Sequence, residues 1–361
     1  MIMMTSPPRS SSLRPPGHQT ATDQMLGGFL ARTAVVDKDG GMGLPVVLMP
    51  GPMHEAVAPG LEGHCELIRL WEEADPDAVL AARRDEIVAV ATGGTAIDGS
   101  YLDRLPAVRL VASFGVGYDR IDATAAAERG VVVTNTPGVL DDEVADTALG
   151  LLLMTVRELG QAERYLRDGK WADGRPYPLT RATMRGRRMG ILGLGRIGQA
   201  IADRVQAFGI SVAYHNRSPK DVPYEYYASL VELAADVDIL MIVIPGGDST
   251  RHLVDADVLK ALGPEGIVIN VARGTVVDEQ ALVDALRTNT IHAAGLDVFE
   301  HEPKVHPDLL TLPNTVLLPH VGSATVPTRT AMANLVVENL VTFLTKGAPV
   351  TPVPESAPLV K

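Results

Sequence analysis

The chain has 361 residues, of which 46% are hydrophobic and 21% charged. That is enough apolar material for two domain cores and too much for a disordered chain. With 32 Lys and Arg against 44 Asp and Glu the formal charge is −12, which argues against nucleic acid or an anionic membrane as a partner. The one cysteine, Cys65, excludes an intrachain disulfide and a Cys-rich metal site, and reads as a buried apolar residue. No apolar run reaches the ~18 residues of a membrane span, so a soluble, cytoplasmic chain without a metal is expected.

Residues 1–45 hold Pro7, Pro8, Pro15, Pro16, a serine run over 10–12 and Gly40–Gly41, and lack sustained periodicity. They read as a flexible extension, with no apolar core of a secretory signal. Met42, just before the first convincing strand, is an alternative start.

From residue 46 short apolar runs alternate with helical stretches. Strands are predicted at 46–49, 66–70, 87–91, 108–112 and 131–134, then a helix at about 142–158 that is apolar on nearly every side from Ala148 to Val156. Such a helix is buried between layers or between subunits. Six more strands follow, at 188–192, 210–214, 238–243, 266–270, 292–296 and 315–318. A last helix at about 325–346 carries Met332, Leu335, Val336, Leu340 and Phe343 at helical spacing, and is predicted to pack back on the first block. The alternation predicts an α/β fold of parallel sheets covered by helices.

At the start of the second block, Met189 to Leu192 runs directly into Gly193-Leu194-Gly195-Arg196-Ile197-Gly198 and then a helix. In that context Gly193 allows the tight turn, Gly195 admits a pyrophosphate close to the backbone, and Gly198 packs helix on strand. The helix start at Arg196 and Ile197 offers free N–H groups and a positive dipole end to the phosphates. The second strand ends in His215-Asn216-Arg217-Ser218, with no acid before Asp221. Arg217, helped by Asn216 and Ser218, suits a 2′-phosphate, which favours NADPH; NADH remains possible if Asp221 reaches the ribose. Three later strand ends carry Arg273, then Asp297 and Glu302, then His320. Ligands of doubly wound sheets bind beyond the carboxyl ends of strands, so these residues are expected in one crevice.

The glycine loop, Val271-Ala272-Arg273-Gly274, Asp297-Val298-Phe299-Glu300 through Pro303, and Pro319-His320 occur in one order and spacing. Together with Ser113-Phe114-Gly115-Val116-Gly117-Tyr118-Asp119, they make residues 46–350 resemble the D-isomer-specific 2-hydroxyacid dehydrogenases. The nearest branch is that of glyoxylate/hydroxypyruvate and hydroxyphenylpyruvate reductases. The resemblance implies two doubly wound Rossmann-like domains. A dinucleotide domain over 144–323 would be inserted in a flavodoxin-like substrate domain made of 46–143 and 324–361. It also implies a homodimer built largely on helix 142–158. By the same resemblance the N–H groups of Val116 and Gly117 hold the substrate carboxylate. Asp297 holds the nicotinamide carboxamide, and Pro245, Val271, Ala272, Gly322 and Ser323 lie on the cofactor.

Reduction of a 2-keto acid needs a hydride and a proton. A histidine, which ordinarily titrates near neutrality, suits the proton, so His320 is the expected donor with Glu302 fixing its ring. Arg273 would bind the carboxylate and keto oxygen and stabilise developing charge. Tyr118 to Asp122 and Thr92-Gly93-Gly94 are expected near the substrate side chain. Space at Gly93 and Gly94 suits small substrates, glyoxylate and hydroxypyruvate. An aromatic 2-keto acid is the alternative substrate. A dinucleotide-sensing scaffold resembling the C-terminal-binding-protein co-repressors is the alternative of another class.

Overall fold

The structure is a computed structural model that describes residues 35–36 and 42–360. Most of the predicted extension over 1–45 therefore lies outside the described residues. Within it Val35–Val36 pairs antiparallel with Met42–Gly43, a short ladder that the reading of 1–45 as unstructured did not include.

The first sheet contains β1 (Val46–Met49), β2 (Glu66–Arg69), β3 (Ile87–Thr92), β4 (Leu110–Ser113) and β5 (Val132–Thr134). Their order is β2-β1-β3-β4-β5, and every pairing is parallel. The runs VVLM and IVAVAT are buried at every position, as strands covered on both faces must be. The second sheet contains β6 (Arg188–Leu192), β7 (Ser211–His215), β8 (Glu225–Tyr227), β9 (Ile239–Ile242), β10 (Ile267–Asn270), β11 (Ala293–Leu296) and β12 (Thr315–Leu317). Its order is β8-β7-β6-β9-β10-β11-β12, again wholly parallel. The chain winds outward in both directions from the β6/β9 boundary, so a crevice opens above the carboxyl ends of those strands. All eleven predicted strands are present, with ends shifted by a residue or two. The strand at β8 was not predicted: its three residues, Glu-Tyr-Tyr, form an edge with no apolar run to mark it.

Helix α1 (Asp141–Arg157) opens with Asp141, Asp142 and Glu143, which complement the positive end of its dipole. Val144, Ala145, Ala148, Leu151, Leu152 and Val156 are buried, and most of that face packs with the second sheet. Leu149, Leu153 and Met154 on its other side are half-buried. Helix α2 (Leu159–Arg167) follows at once, after Glu158 in the left-handed conformation. Helix α3 (Arg196–Val205) follows β6, and its Arg204 ties to Asp142 (2.9 Å) and Asp146 (2.6 Å) of α1.

The last helix, α4 (Val326–Lys346), begins with Thr325 accepting the Thr328 N–H and ends at left-handed Gly347. Its Ala333, Val336, Leu340 and Phe343 pack with Val47, Met49, Ala89 and Leu110, so it returns to the first sheet as predicted. The buried Asn339 side chain then accepts from the N–H groups of Val350 and Thr351, both at 2.9 Å, and turns the chain back toward β5. There Val353 N–H donates to Val133 O at 2.9 Å.

Candidate active site

The glycine loop joins β6 to α3. Gly193 has φ +102°, and a Cβ there would meet Ile244 Cγ2 at 2.6 Å and Val243 O at 2.7 Å. A Cβ at Gly198 would run into the Gly193 carbonyl, whereas Gly195 faces open space. Gly195 also caps α3 without any side-chain acceptor, so the first-turn amides at Arg196 and Ile197 remain available to an anion. An open glycine beside free amides at a helix start fits a dinucleotide pyrophosphate.

The turn after β7 is built differently from expectation at one position. Asn216 Oδ1 accepts the Leu194 N–H at 2.8 Å, so this side chain braces the glycine loop instead of being wholly free for a 2′-phosphate. Arg217 and Ser218 are exposed beside it, and Asp221 lies exposed beyond Pro219. The charge of Arg217 reaches Tyr118 on the far side of the crevice. Tyr118 is nonetheless pushed up to about 12, first by burial and then by the Glu355 carboxylate that its hydroxyl touches at 3.1 Å.

The loop after β4 forms the opposite wall. Gly115 N–H donates to Thr136 Oγ1 at 3.1 Å, and Gly115 O accepts the Thr136 N–H at 2.9 Å. Asn135 Nδ2 donates to Val116 O at 2.8 Å. Peptide units are planar and trans, so a carbonyl pinned from one side aims the N–H of the same unit to the other. Pinning Gly115 O and Val116 O therefore turns out the N–H groups of Val116 and Gly117, and neither donates to an acceptor among the described residues. Two adjacent outward amides make an anion nest. Asn135 and Thr136 were not foreseen from the sequence. The signal was a polar Thr-Asn-Thr-Pro stretch at a strand's carboxyl end, and it acquires meaning only because β5 lies next to β4.

Arg273 stands on the turn after β10. The buried Asn270 shapes that turn, since its Oδ1 accepts the Ala272 N–H and its Nδ2 donates to Arg273 O, both at 3.0 Å. The guanidinium crosses to the anion loop, where Nε donates to Asp119 Oδ1 at 2.9 Å. It lies so close over Gly117 that a Cβ there would be 2.7 Å from Cζ.

His320 follows β12. Its Nδ1 meets Glu302 Oε2 at 2.8 Å, while Glu302 Oε1 accepts the Phe299 N–H at 3.0 Å. Burial of Glu302 raises its pKa, but the bonds from His320 and Phe299, with the charge of Arg273, outweigh that and hold it below the ordinary glutamate value. The ionised carboxylate thus accepts a hydrogen bond from Nδ1–H and leaves Nε2 of His320, on a ring 45% exposed, without a partner among the described residues.

Asp297, expected on the nicotinamide carboxamide, is 1% exposed, and its oxygens also brace the turn after β12. Oδ1 accepts the Val321 N–H at 2.7 Å, Oδ2 the Gly322 N–H at 2.8 Å, and its carbonyl the His320 N–H at 2.8 Å. These three bonds hold His320 at φ +54°, a left-handed conformation that costs a non-glycine residue about 1–2 kcal/mol. Burial raises the Asp297 pKa, and the two amide bonds oppose the rise. Thr147 of α1 donates to Gly322 O at 3.2 Å, and Arg329 of α4 to Ser323 O at 3.2 Å, so the turn is fixed from two sides. Val271 and Ala272 sit between it and the glycine loop in sequence, on the turn after β10; Pro245 is exposed on the loop after β9.

Fold and site together are those of a nicotinamide-linked dehydrogenase, with a phosphate cradle, an arginine and a His–Glu pair on the strand ends of the second sheet and an anion nest on the wall facing them. The family model of the D-isomer specific 2-hydroxyacid dehydrogenase NAD-binding domain matches residues 149–322. A glyoxylate/hydroxypyruvate reductase A of Arabidopsis thaliana is 45% identical over 85% of this chain and 98% of its own. A hydroxyphenylpyruvate reductase of Plectranthus scutellarioides is 44% identical over the same shares. Among solved structures, an NADPH-dependent glyoxylate/hydroxypyruvate reductase of Sinorhizobium meliloti, in complex with NADP and malonate, matches with a TM-score of 0.83. It is 50% identical, over 86% of this chain and 97% of its own. The chain belongs to the D-isomer-specific 2-hydroxyacid dehydrogenase family, in the branch of these reductases.

Proposed function

We propose that the chain reduces small 2-keto acids, glyoxylate and hydroxypyruvate, to D-2-hydroxy acids with NADPH. The observation that carries this reading is the meeting of the Arg273 guanidinium with the outward amides of Val116 and Gly117. They form a cationic seat for a carboxylate, and the His320–Glu302 pair stands on a later strand end of the same crevice. Gly193, Gly195, Arg196, Ile197 and Gly198 would hold the cofactor pyrophosphate. Asn216, Arg217 and Ser218 would hold the 2′-phosphate, and Pro245, Val271, Ala272, Asp297, Gly322 and Ser323 would flank the nicotinamide end. When bound, the reduced cofactor supplies the hydride.

The chain's own residues do the rest. Val116, Gly117 and Arg273 bind the substrate carboxylate. Arg273 also orients the keto oxygen and stabilises the charge that develops on it. Nε2 of His320 gives the proton to the nascent alkoxide, and Glu302 holds the ring through Nδ1. Residues 46–143 with 324–361 would act as the substrate unit and 144–323 as the cofactor unit, closing on each other over the substrate.

A homodimer fits the exposed apolar residues Leu159, Leu166, Trp171 and Leu179 of the segment after α1, and that segment's Gly160 and Gln161 help line a cavity of about 400 Å³ with Met154, Leu312 and Leu317. No helix among the described residues is long and apolar enough to cross a membrane. The single buried thiol suits a reducing compartment, so we place the protein in the cytoplasm.

The test crosses NADPH and NADH with glyoxylate, hydroxypyruvate, pyruvate and 4-hydroxyphenylpyruvate, following loss of reduced-nicotinamide absorbance. Fast NADPH loss with a small keto acid is the expected result. An aromatic preference would move the chain toward the Plectranthus scutellarioides relative. Preference for NADH would overturn the role of Arg217. A folded, NADPH-binding protein with no turnover on any acid would favour the scaffold.

A further inference from the structure

Arg273 is a long side chain that must present its guanidinium in one plane, and the structure shows what aims it. Nε donates to Asp119 Oδ1 at 2.9 Å and Nη1 to Ala272 O at 2.8 Å, which leaves Nη2 over Gly117 and the anion nest. Asp119 comes from the loop after β4 and Arg273 from the turn after β10, so the pair joins the two sheets across the crevice. Two glycines make room for it. A Cβ at Gly117 would lie 2.7 Å from Arg273 Cζ and 3.0 Å from Asp119 Oδ1. A Cβ at Gly246, on the loop after β9, would lie 2.8 Å from Arg273 Cγ and 3.4 Å from Asp119 Cγ. Both wall loops thus lack a side chain where this pair passes between them. The two side chains are 29% and 23% exposed, so solvent screens them only in part.

We infer that Asp119 is a positioning residue for Arg273, with two effects of opposite sign on the anionic substrate. Its carboxylate fixes the guanidinium plane, which serves the transition state. Its negative charge, placed beside the nest, weakens the ground-state hold on any carboxylate bound there. The inference rests on the keto-acid reading, and its test separates the two.

Two variants of the full chain are compared, Asp119→Asn and Asp119→Ala. Asparagine keeps an oxygen acceptor for Nε and removes the charge; alanine removes both. Measured are kcat and KM for the favoured keto acid, calorimetric affinity of the NADP-saturated protein for malonate, and Tm. For Asp119→Asn, kcat stays within about threefold and malonate binds about 3–10-fold tighter. For Asp119→Ala, kcat falls about 30–100-fold while the keto-acid KM does not rise. A purely structural contact would instead weaken malonate binding and lower Tm together, and that result overturns the proposal, as does unchanged kcat in Asp119→Ala. Should the parent protein turn over no keto acid, the activity reading fails by itself. The malonate titration still decides on Asp119, because unchanged affinity in Asp119→Asn overturns its role.

Discussion

Substituting alanine for Gly117 adds one methyl carbon where the Arg273 guanidinium already lies. That carbon would sit 2.7 Å from Cζ and closer still to Nη2, against an ordinary separation of at least 3.4 Å. Cζ must therefore withdraw by about 0.7 Å, and the terminal nitrogens further. Gly117 is not among the residues of positive φ, so alanine brings no backbone strain. The obstacle is the end of a flexible side chain that is 29% exposed, so the guanidinium moves and the loop does not unfold. A misplacement of about 1 Å at a positioning group costs roughly 10²-fold in rate, which sets the expected loss in kcat/KM at about 10²–10³, or about 3–4 kcal/mol. Tm should stay within a degree or two, and NADPH affinity should not change, because the cofactor cradle lies on the other wall. The assay is steady-state oxidation of NADPH with glyoxylate or hydroxypyruvate, beside a thermal melt and a cofactor titration. A variant with wild-type Tm and kcat/KM within fivefold of the parent would refute the reasoning, since Arg273 could not then occupy its place over Gly117 during turnover.

Thr136→Val keeps the shape of a fully buried side chain and removes the acceptor of the Gly115 N–H. Leaving that amide unpaired should cost about 1–3 kcal/mol in a denaturant melt, and should raise the keto-acid KM severalfold at unchanged NADPH affinity. Cys65 is buried at 8% exposure, which pushes its thiol up to about 11. The native protein should therefore give no reaction with a disulfide thiol reagent at mildly alkaline pH and one equivalent after unfolding. Because the folded value lies above the unfolded one, the stabilisation linked to this thiol is complete below the unfolded value and fades as pH rises toward about 11.

The legibility of the chain followed the range of the interactions involved. Runs such as Val46–Met49 and Ile239–Ile242 announce buried parallel strands, because a strand covered on both faces has no polar position. The edge strand Glu225–Tyr227 has solvent beside it, carries no such run and went unread. The glycine loop was legible because strand, turn and helix N-terminus are contiguous. Arg273, Glu302 and His320 were legible as polar groups at strand ends, helped by a resemblance that covers most of the chain.

Asn135 and Thr136 were assigned no part, and Asp119 only a place near the substrate side chain, without its partner Arg273. Their partners are Val116, Gly115 and Arg273, and only one of those pairings lies within twenty residues. Asp297 shows the same limit. Its place at a strand end was readable, but its grip on the Val321 and Gly322 amides depends on β11 and β12 lying side by side.

Local periodicity, turn residues and contiguous motifs therefore specified the class of fold, the dinucleotide cradle and the residue types of the chemistry. Arrangement in space decided the rest. Sheet order placed β5 beside β4, so that polar side chains of one loop could turn the amides of the next outward. The facing of the two sheets set the loop after β4 within reach of those after β9 and β10, so that two missing Cβ atoms leave a slot for one arginine and its carboxylate. Hydrogen bonds and steric exclusion act over a few ångströms of space regardless of sequence separation, and only the folded chain states which atoms share that space.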